Sequence, residues 1–94
     1  MTTTADYKPI GRFDAGTAAA HEKSIQDLLA GEVNSLAIDL SELDFLSSAG
    51  LRVLLVAAKT AKAKGGKVVL ISPKPAVLDV LKASGFDNFI QIQA

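Results

Sequence analysis

Leu36, Ala37, Ile38 and Leu40 form a compact apolar run broken only by Asp39, which predicts a central strand covered on both faces. Ser41-Glu42 turns the chain before Leu43. From Ser48 the period changes: Leu51, Leu54, Leu55, Ala58 and Ala61 recur at helical spacing, and Gly65-Gly66 stops the helix. Lys67 to Ile71 then reads as a strand, because Val68, Val69, Leu70 and Ile71 are apolar and mostly β-branched. Pro73 and Pro75 open a third helix carrying Val77, Leu78 and Leu81, Gly85 closes it, and Phe89 to Ile92 makes a last short strand.

Upstream, Tyr7 to Phe13 predicts a short strand in which Pro9 suits an edge position. Residues 1–6 are expected to be flexible or a shortened N-terminal segment. Asp14 reads as the N-cap of a helix through Thr17 to Ala20, Ile25, Leu28 and Leu29 that ends at Gly31. The order strand, helix, strand, helix, strand, helix, strand calls for an α/β fold. Helices pack on a mixed, mostly parallel sheet of four to five strands, because each crossover runs through a helix. At 94 residues, with no internal repeat or linker, the chain has room for one core, so 1–94 reads as a single domain.

Composition changes the picture mainly by exclusion. The 49% hydrophobic and 21% charged fractions support a packed core. Lys plus Arg and Asp plus Glu balance at 10 each, with basic residues gathered only around Lys59, Lys62, Lys64 and Lys67, which argues against a nucleic-acid partner. Without cysteine, and with His21 as the lone histidine, neither a metal site nor a thiolate nucleophile is expected, and no cofactor is called for. The N-terminus lacks a charged start followed by an apolar run, and no stretch approaches the roughly 20 apolar residues of a membrane span. The expectation is a cytoplasmic protein without membrane insertion.

Neither GxGxxG nor GxxxxGK[ST] occurs, and Gly65-Gly66-Lys67 follows a helix, the wrong polarity for a phosphate loop. Ser47 and Ser48 have a glycine on one side only, Gly50, so a GxSxG nucleophile elbow is absent. His21, beside Glu22 and Lys23, reads as a solvated helix histidine, and the lysines after Ala58 as a solvated face opposite the leucine stripe. Asp14 is either a plain cap or a cap whose carboxylate also lines a site at that end of the sheet. The run Asp39 to Arg52 differs in kind. A buried strand leads through a short apolar loop to paired serines at a helix start, with small Ala49 and Gly50 in the first turn, where something can approach the backbone closely.

In Gly11-Arg12-Phe13-Asp14, Asp39-Leu40-Ser41 and Phe45-Leu46-Ser47-Ser48-Ala49-Gly50-Leu51-Arg52-Val53-Leu54, the chain resembles a STAS domain of the anti-sigma factor antagonist branch, from about Gly11 to the end. The resemblance implies a non-enzymatic partner switch. An anti-sigma factor that is also a serine kinase phosphorylates a serine at the start of the second helix and is thereby released, and a PP2C-type serine phosphatase restores binding. It places the acceptor on Ser48, with Ser47, standing where the family usually has aspartate, as the alternative. The partner-binding surface it implies comprises Asp14, Leu46, Ser47, Ser48, Ala49, Gly50, Leu51 and Arg52. Against the family pattern the first strand is expected to be shortened or missing, which would leave a sheet edge open to a partner. Other readings of the same fold are a subunit of a lipid-transport complex or signalling scaffold, and a small-ligand site or enzyme.

Overall fold

The computed structural model describes residues 3–93. Strands β1 (Thr4–Tyr7) and β2 (Gly11–Phe13) precede helix α1 (Ala18–Leu29); β3 (Ser35–Asp39) and β4 (Leu43–Leu46) precede α2 (Ser48–Ala63). Then come β5 (Val68–Ile71), α3 (Pro75–Ala83), a 3-10 turn over Phe86–Asn88 and β6 (Gln91–Gln93). The main sheet has the order β1-β3-β5-β6, and every neighbouring pair is parallel. A second, two-stranded parallel sheet joins β2 to β4. The α/β architecture read from the sequence, with helices on a mostly parallel sheet of four to five strands, is the one observed, its main sheet having four strands and the second sheet two more.

The core is built from the apolar positions whose periodicity defined the elements. Ile38, Leu40, Leu54, Leu70 and Leu81 are all fully buried. Helix α1 packs against α2, which reaches β4 and β5, while α3 lies on β4. Among the described residues no helix is long and apolar enough to cross a membrane.

Several expectations change, among them the last strand, expected over Phe89 to Ile92 and observed over Gln91–Gln93 because Phe89 closes the 3-10 turn. The strand Tyr7 to Phe13 is split, because Pro9 is buried without an N–H to offer and Gly11 takes a left-handed φ of 79°. β1 therefore pairs with β3 and β2 with β4. Residues 4–6, expected to be flexible or shortened, belong to β1 in register with Ser35 to Ala37; Met1 and Thr2 lie outside the described residues. Leu43 to Leu46, read as a loop, is a strand. Its neighbours Asp44 and Phe45 are both exposed between buried Leu43 and Leu46, so the two-residue alternation that betrays a strand is missing.

Asp14 is not the cap of α1. The helix starts four residues later with Thr17 in the cap position, and Asp14 makes the turn before it. Its Oδ1 accepts from the Gly16 amide at 3.0 Å, and its carbonyl accepts from Thr17 and Ala18. Thr17 Oγ1 donates to the Arg12 carbonyl at 2.9 Å, tying this turn to β2.

Candidate functional site

β2 and β4 run side by side with Phe13 opposite Leu46. The residues that leave their C-terminal ends, Asp14 and Ser47, therefore leave together, and the Ser47 amide donates to the Phe13 carbonyl at 3.0 Å. The topology brings the aspartate and the paired serines to one end of the small sheet, as two strand-to-helix junctions of parallel strands must.

The two serines divide their roles by one residue of chain. Ser47 has extended backbone and caps α2: its Oγ accepts from the Gly50 amide at 3.4 Å, and its carbonyl takes the first helical bond, from Leu51. Ser48 is the first helical residue. It is exposed, and its hydroxyl has no hydrogen-bond partner among the described residues. Nearby amides of the first turn lack helical partners and carry the positive end of the helix dipole. An anion attached to Ser48 would thus sit where the backbone favours it.

Of the remaining residues expected to meet a partner, Arg52 is exposed, and Ala49, Leu51 and Asp14 are half-buried. Leu46 and Gly50 are not surface residues. Leu46 is 3% exposed. A Cβ on Gly50 would stand 2.7 Å from both the Phe13 carbonyl oxygen and Leu46 Cδ1. What approaches the glycine closely is this chain's own β2 and β4. These two residues shape the site from beneath.

Sequence reasoning missed the ridge beside it. Arg12 Nε meets Asp14 Oδ2 at 3.0 Å, and the Arg12 guanidinium lies 4.3 Å from the centre of the Phe45 ring. The bond from Arg12, aided by backbone donors from Gly16 and Thr17, holds the Asp14 carboxyl below its ordinary range against a weaker opposing effect of desolvation. Phe45 is 40% exposed, so an apolar and cationic patch formed by Arg12 and Phe45 stands beside Asp14.

His21 is also corrected. It is half-buried, its Nδ1 is 2.6 Å from the Tyr7 hydroxyl, and its ring lies 4.3 Å from that of Phe13. Burial lowers its pKa, while a hydrogen bond to the Arg12 backbone pulls weakly the other way. Among the described residues no three His, Cys, Asp or Glu side chains converge as a metal site.

A model of the STAS domain family matches residues 3–94. BtrV of Bordetella bronchiseptica, a candidate anti-sigma factor antagonist, is 39% identical over 72 residues, which is 72% of this chain and 62% of that protein. This chain thus spans under two-thirds of that relative's length. An anti-sigma factor antagonist from Mycobacterium paratuberculosis is 27% identical with a TM-score of 0.86, over 96% of this chain and 76% of that one. SpoIIAA in its unphosphorylated form superposes with a TM-score of 0.85 over 100% of this chain and 83% of that one. At 21% identity it is a likeness of fold. Its phosphorylated form, from Bacillus, superposes with a TM-score of 0.74 at 22% identity, over 100% of this chain and 87% of that one.

Proposed function

The chain belongs to the STAS domain family, and from that premise we propose that it is an anti-sigma factor antagonist: a cytoplasmic protein-binding switch without catalysis of its own. In the unphosphorylated state it captures an anti-sigma factor that is also a serine kinase. Transfer of phosphate to Ser48 ends the complex, and a PP2C-type serine phosphatase resets it. The observation that carries this reading is the exposed, unbonded Ser48 hydroxyl at the first position of α2. Ser47, by contrast, is half-buried and spends its oxygen on the cap, which favours Ser48 as acceptor.

The physics of the switch follows from that placement. A phosphate adds roughly −1.5 to −2 charge at pH 7, at a helix end that favours an anion by about 0.3–1 kcal/mol. The fold therefore tolerates it, as the fold of SpoIIAA does in both of its forms. A partner lying over Ser48 and Leu51 must instead strip water from that charge, which costs several kcal/mol unless it supplies a cation. The Arg12–Asp14–Phe45 ridge extends the partner surface on the side of β2 and β4.

The test is capture of partners from the native cell, followed by incubation of wild type, Ser47→Ala and Ser48→Ala with the captured kinase and ATP and localisation of phosphate by mass spectrometry. Phosphate on Ser48, lost in Ser48→Ala and kept in Ser47→Ala, is the expected result. Full modification of Ser47 in the Ser48→Ala protein moves the acceptor by one residue. Modification of neither serine by any cellular kinase removes the switch and leaves a scaffold subunit.

A further inference from the structure

The C-terminal half of α2 carries a second surface, outside the residues expected to meet the partner. Leu55, Ala58, Lys59 and Lys62 stand at i, i+3, i+4 and i+7, one face of the helix. That face borders a cleft of about 530 Å3 whose far wall comes from Lys67-Val68 at the start of β5 and Phe89-Ile90-Gln91 at the entry to the edge strand β6. The volume lies within the roughly 300–1,000 Å3 common to small-molecule sites. Phe89 is 55% exposed, yet its ring is braced against Phe86 with centroids 4.9 Å apart. An exposed aromatic is thus held in place beside an apolar floor.

The rim is cationic. Lys59, Lys62 and Lys67 line the cleft, and among the described residues no carboxylate does. Lys59 and Lys62 have neither an ion pair nor a hydrogen bond among the described residues, while Lys67 Nζ donates to Gln91 Oε1 at 3.3 Å. Lys64, between them in sequence, is committed elsewhere, to the carbonyls of Leu29 and Gly31 at the end of α1. Like charges three residues apart on a helix repel, and an anion between them would relieve that.

We infer that this cleft binds a single-chain amphiphilic carboxylate of the fatty-acid class, with the chain on Leu55, Ala58, Val68 and Phe89 and the carboxylate between Lys59 and Lys62. A polyphosphate fits less well. The cleft sits toward the C-terminal end of α2, where backbone carbonyls present the negative end of the dipole, a penalty that grows with the charge of the ligand and so weighs more on a polyphosphate than on one carboxylate. Among the described residues lining the cleft the one side-chain amide that could read a base, that of Gln91, has its oxygen already engaged by Lys67. One negative charge on two lysines, followed by an apolar chain, matches what lines the cleft. The site is separate from Ser48, because the 14 residues from Ser48 to Lys62 span about 21 Å at the helical rise of ~1.5 Å per residue. The inference stands apart from the switch reading.

Titration of the 15N-labelled protein with decanoate below its micelle concentration tests this, with decanol, ATP and a protein-dilution series run in parallel. Saturable amide shifts confined to residues 55–68 and 89–91 are expected, with decanol at least tenfold weaker than decanoate. Lys59→Gln/Lys62→Gln should weaken decanoate at least tenfold, while the spectrum elsewhere stays unchanged. The inference fails if decanoate moves nothing, if decanol binds as tightly in wild type, or if the double variant keeps full affinity. It also fails if ATP takes the same residues more tightly, which would mark a nucleotide site. Dilution alone shifting these residues would assign the cleft to a second copy of the chain and overturn it as well.

Discussion

The carbonyl of Phe13 accepts from the Ser47 amide at 3.0 Å, so the end of β2 and the start of α2 are one rigid corner. The same oxygen would stand 2.7 Å from a Cβ at residue 50. The turn that presents Ser48 is thus built on a contact that only glycine permits.

Gly50→Ala is expected to destabilise the domain. Alanine improves helix propensity by about 1 kcal/mol, but its methyl would overlap a backbone oxygen and Phe13 Cδ1 as well as the flexible end of Leu46. Overpacking of that kind costs about 1–3 kcal/mol, and with β2 unable to retreat without breaking its pairing to β4 the upper end applies. Urea denaturation should show a lower midpoint at unchanged slope; a midpoint raised above wild type would refute the clash.

The two serines should separate in a stability measurement before any partner is known. Ser47→Ala removes the cap of α2 and should cost about 1 kcal/mol. Ser48→Ala removes a hydroxyl that bonds nothing in the described structure, so its midpoint should stay within about 0.5 kcal/mol of wild type. Equal losses in the two variants would contradict the assignment of the cap.

The contrast between the serines marks where sequence reading reached its limit. Spacing was enough to start α2 at Ser48 and to set the main helices, although of the expected stripe only Leu54 and Ala61 are buried, with Ala57 beside them, while Leu51, Leu55 and Ala58 are half-buried and Lys59 and Lys62 share the face of Leu55 and Ala58 rather than lying opposite it. It was also enough to put Asp14 and Ser47 at one end, since parallel strands oblige it. It could not find β4, where Asp44 and Phe45 are both exposed, nor the break at Pro9. Both depend on β2 leaving the main sheet for a partner 32 residues on, a tertiary choice with no local signature. Asp14 was misread as a cap for the same reason: Thr17, anchored on the Arg12 carbonyl, sets the start of α1. Arg12 and Phe45 meet only because the register aligns them.

Mild acid should loosen the domain through His21. Its folded pKa lies below the ordinary value of 6.5 because burial disfavours the charged ring. Below 6.5 the unfolded chain therefore takes up the proton first, so stability falls as pH drops from about 6.5 toward the folded pKa. In the charged ring both nitrogens are donors, so the Tyr7 hydroxyl, 2.6 Å from Nδ1, could then serve there only as acceptor. Asp14, also depressed, adds a loss in the same direction at more acid pH, below its ordinary 3.8. Urea midpoints between pH 7.5 and 5 should fall in wild type and change less in His21→Gln; parallel curves for the two proteins would exclude His21 as the source.

The exposed ridge should matter to binding more than to stability. Phe45→Ala removes an exposed ring and its contact with Arg12, worth about 0.5–1 kcal/mol at the surface. If the ring anchors a partner, its loss should weaken the complex by more than tenfold, about 1.4 kcal/mol, as buried aromatic anchors do. Calorimetry against the captured partner, paired with a thermal melt, separates the two. Unchanged affinity would confine the interface to the α2 side of the corner.

Ser48→Asp and Ser48→Glu should abolish the switch in one direction while leaving the fold in place. A carboxylate at the first position of α2 faces the positive end of the helix dipole, a gain of about 0.3–1 kcal/mol, so the thermal midpoint should hold steady or rise slightly. The same charge under a partner surface has to lose its water, and one unit of charge is less than a phosphate carries, so the effect is a lower bound for phosphorylation. Affinity should fall at least tenfold, equal to about 1.4 kcal/mol. Ser48→Asn, isosteric with aspartate but neutral, should lose far less, which distinguishes desolvation of charge from a steric clash. If Asn and Asp weaken binding equally, shape and not charge governs the contact at Ser48. If neither does, the partner surface does not cover this end of α2, and the acceptor role of Ser48 loses its physical basis.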